Sequence, residues 1–163
     1  MGVAGSGKTT MGKALAERLG WDFFDADDFH PPENIAKMAA GIPLNDSDRI
    51  PWLKALSDVL FSTLKAGRHP VLACSALKES YRVRLLDEKE GVEVIYLKGS
   101  YDLLRARMST RHGHFMKPEM LRSQFDALEE PKDALTLDIS MPLNEMLDFV
   151  LEKKFGVAGG FRG

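Results

Sequence analysis

Residues 2–9 read Gly-Val-Ala-Gly-Ser-Gly-Lys-Thr, the pattern G-x-x-x-x-G-K-T, and no other stretch limits the possible folds so sharply. Gly2, Gly5 and Gly7 let the backbone turn tightly enough for successive N–H groups to point inward at phosphate oxygens. Lys8 adds a point charge for the β and γ phosphates, and the Thr9 hydroxyl is a ligand for Mg2+. In "KTTMGKALAERLG", Met11, Leu15 and Leu19 fall four apart and Gly20 provides a stop, so a helix starts near Lys8 and turns its positive end toward the loop. The motif predicts a nucleoside triphosphate site formed by Gly2, Val3, Ala4, Gly5, Ser6, Gly7, Lys8, Thr9 and Thr10. A loop of this kind is normally fed by a buried strand, and only Met1 precedes it here. The expectation is a truncated first strand, with the sequence starting late, because loss of that strand would leave its neighbours with unpaired backbone groups.

Beyond the loop, the chain alternates between strand and helix patterns. "WDFFDADDFHP" predicts a short strand ending at about Asp25, and "ENIAKMAAG" a short helix. In "DRIPWLKALSDVLFSTLKAG", Trp52, Leu53, Leu56, Val59, Leu60 and Leu64 repeat at helical spacing, with Pro51 in the first turn. "PVLACSAL" is a continuous apolar run, as in a parallel strand covered on both faces. A helix in "KESYRVRLLDEKEG", a strand in "VEVIYLKG" and a helix in "YDLLRARMSTRHG" follow. "KPEMLRSQFDALEEP" is helical with Leu121, Phe125 and Leu128 on one side, "ALTLDIS" is a last strand, and "PLNEMLDFVLEKKFG" a closing helix. Such alternation predicts an α/β sandwich around a parallel sheet. The expected organisation is one domain over 1–154 and a loose glycine-rich tail over 155–163.

Composition matters here for what it excludes. With 22 basic and 24 acidic residues, the net charge of −2 gives no support for a nucleic-acid or membrane-surface partner. No apolar run approaches a membrane span, and the start lacks the basic-then-apolar pattern of a signal peptide. The single cysteine, Cys74, lies in the apolar run "VLAC" and suits a reducing, cytoplasmic setting as a buried thiol.

The acidic residues narrow the class of nucleotide protein. A switch GTPase or motor ATPase carries an Asp at the end of an interior strand, whereas "PVLACSAL" ends in Cys74 and Ser75 and no "NKxD" occurs. Asp25, Asp27 and Asp28 instead follow the second strand, at the carboxyl edge where ligands of open α/β sheets collect. That placement favours a small-molecule kinase, although a solvated acidic turn is the ordinary explanation for such a cluster.

Several longer stretches resemble the gluconokinase family: "DADDFHPPENIAKMAAGIPLNDSDRIPWL", "CSALKESYR", "YLKG", "GHFMKPEMLRSQFDALEEP" and "DIS", in order from Gly2 to about Ile139. The resemblance implies a P-loop NTPase three-layer sandwich, similar to nucleoside-monophosphate and shikimate kinases, with a mobile lid at about 107–118. It implies transfer of the ATP γ-phosphate to the 6-hydroxyl of D-gluconate with Mg2+, in a homodimer. Two other readings stay open: a related kinase such as shikimate kinase, and a nucleotide-binding module weakened by loss of the first strand.

On that resemblance Asp27 is the candidate to accept or orient the acceptor hydroxyl, and Asp25 to approach Mg2+ through water; the reverse assignment is equally compatible. A sugar acid needs a cation for its carboxylate, and Arg49 has the matching guanidinium fork, unless it is spent on Asp46 or Asp48 at a helix start. Lys78 and His30 are further substrate-pocket candidates, while Asn45 and Asp46 are read as turn and cap residues. Arg107 and Arg111 lie four apart on one helical face, and as part of a lid they would close over ATP, Arg111 as a catalytic cation. His114, in the family-like "GHFM", and Gln124 complete the substrate set. His112 and His114 are not read as metal ligands, since no third ligand stands at suitable spacing.

Overall fold

A computed structural model of the chain describes residues 1–86, 91–109 and 118–156. Most of the expected lid, with Arg111, Gly113 and His114, and most of the expected tail therefore lie outside the described residues. The elements run α1 (Lys8–Leu19), β1 (Asp22–Asp25), a 3-10 turn (Ala26–Phe29), α2 (Pro32–Ala39), α3 (Asp46–Lys65) and β2 (Pro70–Ala73). They continue with α4 (Glu79–Leu86), β3 (Ile95–Lys98), α5 (Tyr101–Ser109), α6 (Pro118–Asp126), β4 (Leu135–Asp138) and α7 (Leu143–Phe155).

All described strand pairing is parallel, as the alternation requires. β1 lies against β2, Asp22 opposite Pro70 and Asp25 opposite Ala73. β3 lies against β4, Ile95 opposite Leu135 and Lys98 opposite Asp138. The two ladders are separate, and residues 1–2 run between them. The Met1 amine donates to the Ile95 carbonyl, Leu97 N–H donates to Met1 O at 2.9 Å, and Gly2 N–H to Ser75 O at 3.3 Å. Beside Met1 a cavity of about 430 Å3 is lined by Val71 and Leu72 of β2, Ile95 of β3 and Val150 of α7.

Two apolar clusters hold these layers. The larger one joins Met11 and Leu15 of α1, Leu97, Leu104, Leu121 and Leu137 to Leu147 and Val150 of α7. The other packs Trp52, Leu53 and Leu56 of α3 against Ala26, Cys74, Tyr81 and Leu85. α1 sits close on β1 because Gly12 has no side chain there: a Cβ at that position would stand 2.8 Å from the Phe23 ring.

Two boundaries differ from expectation. α3 starts at Asp46, so Pro51 is inside the helix and not in its first turn. The cause is a capping box: Asp48 N–H donates to the Asn45 side chain at 2.9 Å, and Asn45 N–H to the Asp48 carboxylate at 3.0 Å. Asn45 caps as read, but Asp46 does not. α7 runs one residue into the stretch read as tail, where the Phe155 ring meets Trp21 edge-on at 5.4 Å before Gly156 turns left-handed at φ 65°. Among the described residues, no helix is long and apolar enough to cross a membrane.

Candidate active site

The site begins at the start of α1. Gly7 adopts φ 91°, a conformation that costs glycine little, and hands the chain directly to Lys8. No side chain caps α1 and no acidic residue occupies its first turn, in contrast to α3. The positive end of α1 is thus left for an anion. The loop closes on itself through one carbonyl, Val3 O, which accepts from Ser6 N–H at 3.3 Å and from Lys8 Nζ at 3.0 Å. Ser6 is 2% exposed, so its hydroxyl is packed inward. Burial lowers the pKa of Lys8, and the negative charges of Asp27 and Asp25 oppose that shift.

The acidic turn after β1 lies alongside. Thr9 Oγ1 donates to Asp25 Oδ2 at 2.7 Å, while Asp25 Oδ1 accepts from Asp27 N–H at 3.2 Å and caps the 3-10 turn. Asp27 is exposed, and among the described residues its carboxylate has no hydrogen-bond partner. Trp52 fixes this turn from α3, its indole N–H donating to Ala26 O at 2.7 Å. His30 stacks on the same Trp52 ring, with centroids 4.6 Å apart and planes 6° apart. Its Nδ1 also lies 3.5 Å from the buried Asn34 amide, which donates to Asp48 O at 2.8 Å. Burial pushes the His30 pKa down; Asp27 opposes this and Arg49 adds to it.

These influences order the site. Lys8 feels Asp27, His30 feels Asp27 and Arg49, and Asp46 feels Arg49 and Lys78. Charge thus couples the phosphate loop to the acidic turn, and His30 to the Arg49 side, where Arg49, Lys78 and Asp46 form a mouth. At that mouth Lys78 Nζ donates to both Asp46 oxygens, at 2.8 and 2.7 Å. Tyr81 donates a short hydrogen bond to Asp46 Oδ1, and Arg49 Nη1 lies 3.8 Å from that same oxygen. Hydrogen bonding to Lys78 and then to Tyr81 lowers the Asp46 pKa.

Sequence reasoning raised the pairing of Arg49 with Asp46 but missed Tyr81 and the link from Asp46 to Lys78. The spacing of Lys78 and Tyr81, three apart at the start of α4, was the one available signal. Two other candidates make contacts that the sequence did not indicate. Gln124, read as facing substrate, is turned to the phosphate loop, its side-chain oxygen accepting from Ala4 N–H at 2.6 Å. Arg107 is fastened to Ile139 O at 2.6 Å, just beyond β4. Cys74 is buried as expected, and burial pushes its thiol up to about 11.

The Thr9 hydroxyl and Asp25 carboxylate are hard oxygen donors beside the loop, and the described residues contain no cluster of three metal-ligating side chains. That donor set fits Mg2+, which takes one or two protein oxygens next to phosphate and water oxygens.

Comparison with known proteins agrees with this geometry. A shikimate kinase family model matches residues 4–140. A probable gluconokinase of Mus musculus is 45% identical over 172 residues, covering 93% of this chain and 94% of its own. The thermoresistant gluconokinase of Escherichia coli (strain K12) is 43% identical, covering 93% and 89%. The crystal structure of a gluconokinase from Sinorhizobium meliloti 1021 superposes with TM-score 0.80 at 45% identity, over 90% of this chain and 84% of that one. With a loop built for phosphate, an acidic turn bonded beside it and relatives of this identity along nearly their whole length, the chain belongs to the gluconokinase family of shikimate-kinase-like P-loop kinases.

Proposed function

We propose that this enzyme phosphorylates D-gluconate at its 6-hydroxyl, with ATP as donor. The observation that carries the reading is the 2.7 Å hydrogen bond from Thr9 to Asp25, which ties the phosphate loop to the acidic turn that bears Asp27. Phosphoryl transfer asks for an aligned acceptor, neutralised phosphate charge and little covalent chemistry from the protein. The loop backbone from Gly2 to Thr10 and the uncapped start of α1 hold the phosphates. Lys8 leaves Val3 O for the stronger acceptor that an anionic phosphate offers. Thr9 and Asp25 would hold Mg2+, which when bound neutralises charge on the transferred phosphoryl group.

Asp27 orients the 6-hydroxyl and takes its proton as that oxygen bonds to the γ-phosphorus and the bond to the ADP oxygen breaks. Of the two acids, Asp27 suits this role better, because both oxygens of Asp25 are already engaged. Arg49 and Lys78 receive the carboxylate, and His30 lines the path between. Arg107 belongs to the nucleotide side, and Gln124 positions the loop from α6. Arg111 and His114 are assigned to the lid by family resemblance, as is the single-domain organisation.

Gluconate-dependent ADP formation, with shikimate and AMP as control acceptors, tests the function. Turnover of gluconate alone is expected; turnover of shikimate in its place would overturn the assignment. The same reading includes a cytoplasmic homodimer, consistent with the reduced Cys74 and with Ile35, Met38 and Ile50 exposed on α2 and α3. Light scattering that returns the mass of one protomer would remove the dimer.

A further inference from the structure

Asp46 is the first residue of α3, yet it does not cap that helix, because Asn45 and Asp48 form the capping box. Its carboxylate is spent on groups far away in sequence. Lys78 reaches both oxygens, the Tyr81 hydroxyl donates to one of them, and Arg49 stands 3.8 Å away. The two cations also flank the Tyr81 ring, Arg49 at 5.8 Å and Lys78 at 5.6 Å from its centroid. Two cations and a phenol gathered on a single carboxylate are the donors that the carboxylate of a sugar acid requires. The Asp46 side chain itself is 63% exposed, against 31% for Arg49 and 33% for Lys78, so it covers them from the solvent side.

We infer that Asp46 is a positioning residue: a resident carboxylate that holds Arg49, Lys78 and Tyr81 assembled in the empty acceptor mouth and gives them up to the carboxylate of the arriving substrate. The inference rests on the gluconate reading above for the identity of that substrate. Exposed ion pairs hold weakly, so the exchange costs little. It also makes Asp46 a specificity determinant. A neutral polyol cannot displace it, because the cations would be left without an anion, whereas a sugar acid replaces one carboxylate with another.

The test is Asp46→Asn, which keeps the shape and removes the charge. Freed of their resident anion, the cations should bind gluconate more readily, so KM for gluconate should fall about two- to fivefold, the size expected from loss of an exposed pair, while kcat moves less. Inhibition by D-glucitol, the neutral polyol of the same length, should stay unchanged. Tyr81→Phe removes a donor that the substrate carboxylate would inherit, together with the acceptor of Arg49 Nη1 at 3.4 Å, and should instead raise KM for gluconate. A KM that holds or rises in Asp46→Asn, or a glucitol constant that shifts in parallel with KM, would overturn the inference. Thermal unfolding of both variants separates these effects from damage to the start of α3. Should the wild-type enzyme not phosphorylate gluconate, the function reading fails and the clasp is still tested, by titrating acetate and following the Tyr81 ring signals by NMR. Tighter acetate binding in Asp46→Asn sustains the clasp, and equal binding refutes it.

Discussion

Val3 O is a modest partner for an ammonium ion, and this is why so much depends on Lys8. A lysine drawn out of water and bonded to one neutral carbonyl gains more from an anionic phosphate than a solvated lysine would. Lys8→Ala should therefore cut kcat by about a hundredfold or more, the cost typical of deleting one transition-state electrostatic donor. Steady-state kinetics with gluconate would check it, and turnover near the wild-type rate would exclude the loop as donor site. At this scale the sequence was readable wherever chemistry is local. G-x-x-x-x-G-K-T carries its own geometry, and Asp25 and Asp27 follow a strand end. Of the Asp46 clasp only the local Arg49 pair was readable, because Lys78 and Tyr81 lie 32 and 35 residues from Asp46 and no local pattern links them. Gln124 is a similar case: its helix could be read, but not the direction of its side chain toward Ala4.

The helices divide into two kinds at their starts. α3 is closed by a reciprocal capping box with acids in its first turn; α1 has no side-chain cap and no acid there. The first arrangement stabilises a helix and the second reserves its dipole for a ligand. Asn45→Ala should lower stability by about 1 kcal/mol, the usual cost of a lost N-cap, and the melting temperature by about 2–4 °C for a chain of this size. Differential scanning calorimetry would show this, and an unchanged melting temperature would mean that α3 is held by Trp52, Leu53 and Leu56 alone. Helices were legible because their apolar spacing is periodic over many turns. The exact start of α3 was not, since Pro51 is a familiar first-turn residue and outweighed the subtler Asn45–Asp48 pair. Strands of four residues offered the apolar runs, but the register between β1 and β2 or β3 and β4 is set by partners some 40 or more residues away.

Across the whole molecule, alternating strands and helices were enough to foresee the parallel α/β fold. The division of pairing into two ladders on either side of residues 1–2 is a tertiary result that alternation cannot express. The half-buried His30 also links global stability to pH. His30 holds its proton less tightly when folded than when unfolded, chiefly because it is buried. Its contribution is therefore complete above the ordinary histidine value of about 6.5 and is lost as pH falls through the lower folded value. Melting temperatures between pH 8 and about pH 5 should show a downward slope on the acid side, flattened in His30→Gln. Identical slopes in the two proteins would detach His30 from that behaviour.

Trp52 lies under this imidazole and simultaneously bonds to the backbone of the acidic turn. An indole in that position is a natural spectroscopic gauge: its emission registers the charge of the stacked ring above it and any shift of the turn that bears Asp27. The enzyme thus carries an intrinsic, label-free fluorophore beside its acidic turn, while its second tryptophan, Trp21, stacks on a different imidazole, His69.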